Sequence, residues 1–250
     1  MSFERQPVET INRWWGEHIH RYHEALKHIN ANDVVLDIAC GTGFGTDIIA
    51  GKTTGKVVGG DIAQEAIEEC KNRWKRSNLD FRILDGTKLD FPDSYFDKLV
   101  SFETIEHTTR YKEMVAEFAR VLKPGGKLIL STPNREVSSP KGIIENKFHT
   151  QEFTCDELKV LLEASFRKVE QAGQRYIRYD KKSFRGRISH FFERLYLSIG
   201  FGKLPLKFRN GFMKTFFGYP LYAQESDFTL EKDMSRVKKE CYVQFAFCEK

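Results

Sequence analysis

Short runs rich in β-branched residues alternate along the chain with longer stretches whose apolar residues recur at three- and four-residue spacing. The runs are VVLDIA (34–39), KVVGGD (56–61), LDFRILD (79–85), FDKLVSF (96–102) and KLILSTP (127–133). Strands that recur roughly every 20 to 30 residues with helical stretches between them predict βαβ units on a parallel sheet. In the helical stretch DIAQEAIEECKNRWKR, Ala66, Ile67, Cys70 and Trp74 fall on one face. In YKEMVAEFARVL, Met114, Val115, Phe118 and Leu122 do the same, and KPGG at 123–126 then stops the helix and turns the chain into the next strand.

The pattern changes after residue 150. TCDELKVLLEASF opens on Thr154 with Glu157 three positions on, a capping-box helix start, and leads into a predicted strand, FRKVEQAGQRYI. The last strand-like run, CYVQFAF (241–247), lies more than sixty residues later. If these two strands pair as a closing hairpin, residues 174–235 are an insertion between them. From Gln174 to Pro220 that insertion holds eleven Lys or Arg against Asp180 and Glu193. Ile188, Phe191, Phe192, Leu195 and Ile199 recur within it at helical spacing, followed by Phe208, Phe212, Phe216 and Phe217. A basic amphipathic helix and a second aromatic segment are expected there.

A chain of 250 residues with 40% hydrophobic and 30% charged side chains supports one sizeable core, so 1–250 reads as a single elaborated domain. No apolar run approaches the 18 or so residues of a membrane span, and MSFERQPVETINRWW lacks an apolar core behind a basic lead. Neither a secreted nor a membrane-spanning protein is expected. Five scattered cysteines (Cys40, Cys70, Cys155, Cys241, Cys248) without a CxxC pair give no disulfide framework or zinc knuckle, and the expected compartment is the reducing cytoplasm. The net charge of +5 is modest; it is the local excess in 174–220 that points to an anionic partner.

The chemistry starts at VLDIACGTGFGT, where a strand runs into Gly41, Gly43 and Gly45 and a helix begins near Thr46. Glycines at such a turn let the backbone approach a nucleotide-like ligand and aim helix-start amides at it. Asp37 sits at the strand's end, and Asp61 closes the next strand, where an acid can accept both hydroxyls of a ribose. The competing role of Asp61 is to cap the helix that follows.

At these residues the chain resembles the class I S-adenosylmethionine-dependent methyltransferases, from Trp14 to Gly173. VLDIACGTGFGT, VVGGDIAQEAI, LDGTKLDFPDSYFD, SFETIEH and RVLKPGGKLILSTPN follow the family's order and spacing. The resemblance implies an α/β, Rossmann-like, mostly parallel seven-stranded sheet of order 3-2-1-4-5-7-6, with helices on both faces and the last strand antiparallel. It implies S-adenosylmethionine as cofactor. Gly41 and Gly43 would face its methionine part, Asp61 and Ile62 its ribose and adenine, and Asp85 with Gly86 the adenine edge. Asp37 would hold the loop and the amino group, and Phe102 joins the cofactor-binding set. GEHIHRYHEAL (16–26), within an expected N-terminal lid helix at 1–30, resembles the subgroup found in polysaccharide and O-antigen gene clusters. There Arg21 would pair with the methionine carboxylate and Tyr22 would hydrogen-bond it; the alternative is a surface amphipathic helix packed through its aromatics. NKFHTQEF, followed later by Gly173 and Gln174, and STPNR resemble the same subgroup.

The reacting group expected is His107, a neutral imidazole positioned to take an acceptor's proton at the carboxyl edge of the sheet. Its alternative role is to cap the next helix or lie under the cofactor. A rival reading makes Glu103, Glu106, His107 and His149 a divalent-metal site, since two carboxylates and two imidazoles suit a metal ion. Similar arrangements occur in quinone-biosynthesis O-methyltransferases and in small-RNA 2′-O-methyltransferases. The basic insertion fits three roles: cations for a phosphate-bearing acceptor, peripheral contact with an anionic membrane through 184–217, or a homodimer contact. Single-stranded RNA is a further partner that basic-plus-aromatic composition accommodates. The expected function is methyl transfer from S-adenosylmethionine to an oxygen of a small or glycan-type acceptor. The rivals are a metal-assisted quinone or RNA enzyme and an inactive methyltransferase-like binding subunit.

Overall fold

The computed structural model describes residues 15–177, 208, 211–212, 215 and 222–250. In chain order the elements are α1 (Trp15–Leu26), β1 (Val35–Ile38), α2 (Phe44–Ala50), β2 (Val57–Asp61), α3 (Gln64–Arg73), β3 (Leu79–Ile83), β4 (Phe96–Phe102), α4 (Tyr111–Val121) and β5 (Leu122–Pro133). They continue as α5 (Arg135–Ser138), α6 (Cys155–Glu163), β6 (Lys168–Tyr176), β7 (Phe228–Glu231), α7 (Met234–Glu240) and β8 (Val243–Glu249). One-turn 3₁₀ helices cover Ile105–His107 and Glu225–Asp227.

The sheet runs β3-β2-β1-β4-β5-β8-β6-β7. From β3 to β5 every pairing is parallel, and β8 lies antiparallel between β5 and β6. Seven of the strands therefore take the expected order, with the last strand reversed. The count differs: among the described residues the sheet has eight strands, because the short β7 forms inside the stretch read as insertion and extends the edge beyond β6. The boundary at 174 also moves. Gln174 still pairs with Val243 in the β6–β8 ladder, and β6 continues to Tyr176.

Burial all along β1, and along β4 at every residue but Asp97, fits strands whose two faces are both covered by helices, as in a parallel sheet. The main core joins Leu36, Leu99, Leu128 and Leu130 of the strands to Met114, Val115 and Phe118 of α4 and Leu158 and Leu162 of α6. A smaller cluster packs Ile67 and Cys70 of α3 on Phe81 of β3. α6 starts in the expected capping box, with the Thr154 side chain taking the Glu157 amide and the Glu157 carboxylate taking the Thr154 amide. α3 ends one residue short of Trp74, whose indole instead donates to the Thr42 carbonyl at 2.8 Å.

By compactness the chain divides into two units. The first holds Arg21–Arg175 and Leu230–Lys250, and with them the core just described. The second holds Thr10–His20 and Tyr176–Thr229. Among its described residues, Phe228 packs its ring 6.0 Å from His20 and 5.2 Å from Tyr176, and the Ile177 amide donates to the Asp227 carbonyl. The expected amphipathic helix from Ile188 to Ile199, Phe216 and Phe217 lie outside the described residues. No helix among the described residues is long and apolar enough to cross a membrane.

Candidate active site

The turn leaving β1 is built on left-handed backbone: Ala39, Gly41 and Gly43 have φ of 59°, 55° and 73°. A side chain at Gly43 would also strike the Cys70 sulfur at 2.7 Å, so both conformation and space require glycine there. Gly45 answers to a different demand. A Cβ on it would fall 1.8 Å from the Tyr22 ring, which lies directly on the first turn of α2. Tyr22 is buried edge-on against Phe44 and Phe102, with centroids at 5.3 and 5.1 Å.

Beneath this turn lies Asp37. It accepts the Thr46 hydroxyl at 2.6 Å and the Tyr22 phenol at 3.3 Å. Burial pushes its carboxyl up to about 7 against the pull of those two hydrogen bonds, and the neighbouring Asp61 adds to the rise. Burial, with Asp37 beside it, likewise raises the Tyr22 phenol. Asp61 accepts the Gly41 amide at 3.0 Å with one oxygen and the Ala63 amide at 2.9 Å with the other. It thus ties the glycine turn to the residues ahead of α3 while remaining part-exposed at the strand end; the helix does not begin at Ile62 but at Gln64, with Ala63 as N-cap and no side-chain cap, so Asp61 is not its cap. Ile62 follows it, 61% exposed, an apolar side chain open at the lip of the turn. Asp85 accepts the Thr87 amide and hydroxyl, and Gly86 is wedged against Met114, whose methyl would lie 3.1 Å from an added Cβ.

Arg21 is buried, its Nε donating to Gln174 Oε1 at 3.0 Å and its guanidinium 3.9 Å from Glu103. Glu103 carries a left-handed φ of 50° just past β4, one residue beyond Phe102 at the same carboxyl edge as the glycine turn. Its carboxylate accepts the Ser131 hydroxyl at 2.8 Å. A non-glycine residue held in this conformation is strained backbone of the sort that clusters at functional sites.

The turn Ile105–His107 follows. Glu106 is fully buried: Oε2 accepts the Thr132 hydroxyl at 2.8 Å, while Oε1 has no hydrogen-bond partner. Burial, with the Glu103 charge second, raises its carboxyl well above the carboxylate range. The Glu106 carbonyl accepts the Thr150 amide and hydroxyl, which lays the 148–151 segment on the turn. His149 thereby comes beside His107, ring centroids 5.0 Å apart and nearly perpendicular. His107 Nδ1 donates to the Phe148 carbonyl at 3.1 Å, and its Nε2 lies 3.9 Å from Glu106 Oε1. His149 Nδ1 donates to Glu152 Oε1 at 2.8 Å. Burial alone would raise the Glu152 carboxyl, but hydrogen bonds from Ser138, His149 and Ser139 outweigh it and hold it low.

Residues 36–130 match the family profile described as "Methyltransferase domain". A Mycolicibacterium smegmatis protein named "Probable S-adenosylmethionine-dependent methyltransferase" is 37% identical over 160 residues, 64% of this chain and 61% of that protein. The chain thus spans about three-fifths of that relative's length. A Tropheryma whipplei "Demethylmenaquinone methyltransferase" is 35% identical over 114 residues, covering 44% of this chain and 47% of its own. The structure of a SAM dependent methyltransferase from Archaeoglobus fulgidus superposes with a TM-score of 0.62 over 94% of each chain at 16% identity, a likeness of fold.

The carboxyl edge of the sheet gathers most of the residues singled out by sequence. Gly41, Gly43, Asp61, Ile62, Asp85 and Gly86 line the carboxyl edge at β1, β2 and β3, with Asp37 directly below. Phe102 packs under Tyr22 and against Phe245, making it a support for the turn. Arg21 and Tyr22 point into the domain, toward Gln174, Glu103 and Asp37. The proposed four-residue metal set is not brought together whole: Glu106, His107 and His149 converge, while Glu103 is turned to Ser131 and Arg21. Gln174, Thr132 and Glu152 lie in tracts singled out by sequence but carried no role there, and their tertiary partners give them one.

Proposed function

We propose that this chain binds S-adenosylmethionine on the β1 turn and transfers its methyl group to an oxygen of a small or glycan-type acceptor. The observation that carries the reading is the left-handed turn from Ala39 to Gly43, with Asp37 buried beneath it and Asp61 gripping the Gly41 amide. That turn presents backbone to a ligand at the carboxyl edge, where open α/β sheets bind theirs. Asp37 would hold the cofactor's amino group, and Asp61 has lone pairs left for the ribose hydroxyls. Ile62 would cover the adenine, and Asp85 with Gly86 would meet its edge.

His107 lies beyond β4, a neighbour of β1 in the sheet. The Phe148 carbonyl fixes the proton on Nδ1, so Nε2 carries the lone pair. Bound S-adenosylmethionine would supply a methyl group made electrophilic by its sulfonium, and His107 Nε2 would take the proton that the acceptor oxygen loses. Holding donor and acceptor in line supplies much of the acceleration. The eleven basic residues of 174–220 support an anionic acceptor such as a nucleotide sugar or a lipid-linked glycan.

The test has two parts. S-adenosylhomocysteine at a hundred times its dissociation constant adds about 2.7 kcal/mol, a rise of roughly 5 to 10 °C in the unfolding midpoint at this size; an unmoved midpoint overturns the donor site. Labelled methyl transfer is then measured on sugar, nucleotide-sugar, quinol and RNA acceptors. Product on the sugars supports the acceptor assignment, and product on quinol or RNA alone overturns it.

A further inference from the structure

The segment from Lys71 to Arg76 carries four cations and no acid where α3 gives way to β3. It borders an open cleft of about 590 Å³ whose walls include Lys71, Trp74, Lys75, Arg76, Leu79 and Phe81. Leu79 opens β3, whereas Ile83 at the far end of the same strand pairs with Asp61. The cleft therefore lies at the opposite end of β3 from the carboxyl-edge site.

Its cations are not equally committed. Arg76 is taken by Asp47, at 2.5 and 3.0 Å, and the Asp80 carboxylate on the wall is taken by Arg82 at 2.8 Å with Lys56 3.9 Å away. Lys71 and Lys75 are exposed and pair with no carboxylate among the described residues; the Lys75 ammonium rests on the Lys71 carbonyl. Two uncompensated ammonium groups attract an anion. The Trp74 indole and the Phe81 ring add aromatic surface that a bare anion does not need, in a volume of the size that takes a small organic molecule. The Arg73 guanidinium lies over the indole at 5.3 Å, a further positive charge at the ring.

Both aromatic walls also touch the glycine turn. The Trp74 indole donates to the Thr42 carbonyl at 2.8 Å, and a Cβ on Gly43 would fall 2.9 Å from the Phe81 ring. The Cys70 thiol donates to the Gly41 carbonyl beside them at 3.3 Å. A molecule in the cleft thus bears on the side chains that hold the turn from behind.

We infer that this cleft binds a nucleoside phosphate, its base against Trp74 and its phosphates on Lys71 and Lys75, and that the bound nucleotide steadies the glycine turn. The binding stands on the cleft's own residues; the coupling rests on the methyl-transfer reading, which puts the cofactor on that turn. A ligand that fixes Trp74 and Phe81 takes over part of the ordering the cofactor would otherwise have to impose. Each ligand should therefore raise the other's affinity by the same factor. A free nucleotide and the 5′ end of a single-stranded RNA offer the same base and phosphate.

ADP is the probe, titrated by calorimetry into the full chain with and without S-adenosylhomocysteine. One equivalent is expected in both conditions, with affinity falling as salt rises. The exposed pair Lys71→Glu and Lys75→Glu made together should weaken ADP binding about tenfold or more, as should Trp74→Ala, while Asp61→Ala leaves it unchanged. S-adenosylhomocysteine should bind several-fold tighter when ADP is present. Trp74→Phe keeps a ring but lacks the indole N–H, so it should still bind ADP and lose that gain. ADP binding lost in Asp61→Ala but kept in the lysine variant puts the nucleotide on the cofactor's turn and overturns the inference. So does inorganic pyrophosphate binding as tightly as ADP, or no ADP binding at millimolar concentration. An S-adenosylhomocysteine affinity that ADP leaves unchanged overturns the coupling. A 5′-phosphorylated RNA oligonucleotide in competition with ADP distinguishes the sources: tighter binding assigns RNA to the cleft, weaker binding a free nucleotide. ADP held by these lysines in a chain that does not respond to S-adenosylhomocysteine sinks the methyl-transfer reading and leaves the cleft standing.

Discussion

Asp37 couples the glycine turn after β1 to pH. With its carboxyl raised by burial to about 7, the folded chain holds a proton between about pH 4 and 7 that the unfolded chain has already released. Its contribution to stability is therefore greatest below about pH 4 and declines as pH rises through that window. Asp37→Asn should flatten the decline, measured by urea denaturation at several pH values. A cationic amino group on the ligand favours the ionised form, so S-adenosylhomocysteine affinity should fall as pH drops below about 7, by up to about tenfold per pH unit. The same variant should lose that slope in calorimetric titrations. Gly45 makes a steric prediction at the same turn. Alanine there collides with the buried Tyr22 ring and should cost roughly 1 to 3 kcal/mol, an overpacking penalty read from the shift in denaturation midpoint. Tyr22→Leu on top of it should recover part of the loss.

At the scale of elements, the helices were legible because their buried faces follow the 3.6-residue period. Phe118 is the centre of the α4 face, fully buried in the main core, and Phe118→Ala should destabilise by about 3 to 5 kcal/mol in chemical denaturation. The capping box of α6 was equally local: Thr154→Ala should cost about 1 kcal/mol and leave S-adenosylhomocysteine affinity unchanged, since the helix lies apart from the β1 turn in sequence and in its contacts. Trp74 shows where periodicity overreaches. It falls at the right spacing to extend α3, yet its indole finds the Thr42 carbonyl, and the backbone leaves the helix to let it reach there. The eighth strand, β7, escaped notice because four residues bounded by polar turns carry too little pattern to stand out.

At the scale of the molecule, charge is unevenly spread. The stretch 174–220 carries more than the whole basic excess of the chain, and the rest is mildly acidic. Methyl transfer to an anionic acceptor should therefore show a KM that rises with ionic strength, while S-adenosylhomocysteine affinity barely changes. Charge reversal at Arg185, Arg187 and Arg194 together should raise the acceptor KM and leave the cofactor-induced rise in unfolding midpoint intact. A loss of cofactor affinity in that variant would mean that these cations serve the donor side.

The sequence by itself determined the alternation of strands and helices, the order of the parallel strands through its resemblance, the glycine turn and the acids at the strand ends. Each of those depends on neighbours a few residues apart, where backbone conformation and periodicity leave a local mark. Only the tertiary structure decided that Arg21 reaches Gln174, 153 residues away, and that Thr132 holds one oxygen of Glu106 while leaving the other bare. It also decided that His149 joins His107 and Glu106 while Glu103 turns aside to Ser131. Such pairings are set by which strand ends the packed sheet brings to one edge and by the need of buried polar groups for partners, and neither is written in the spacing of residues along the chain.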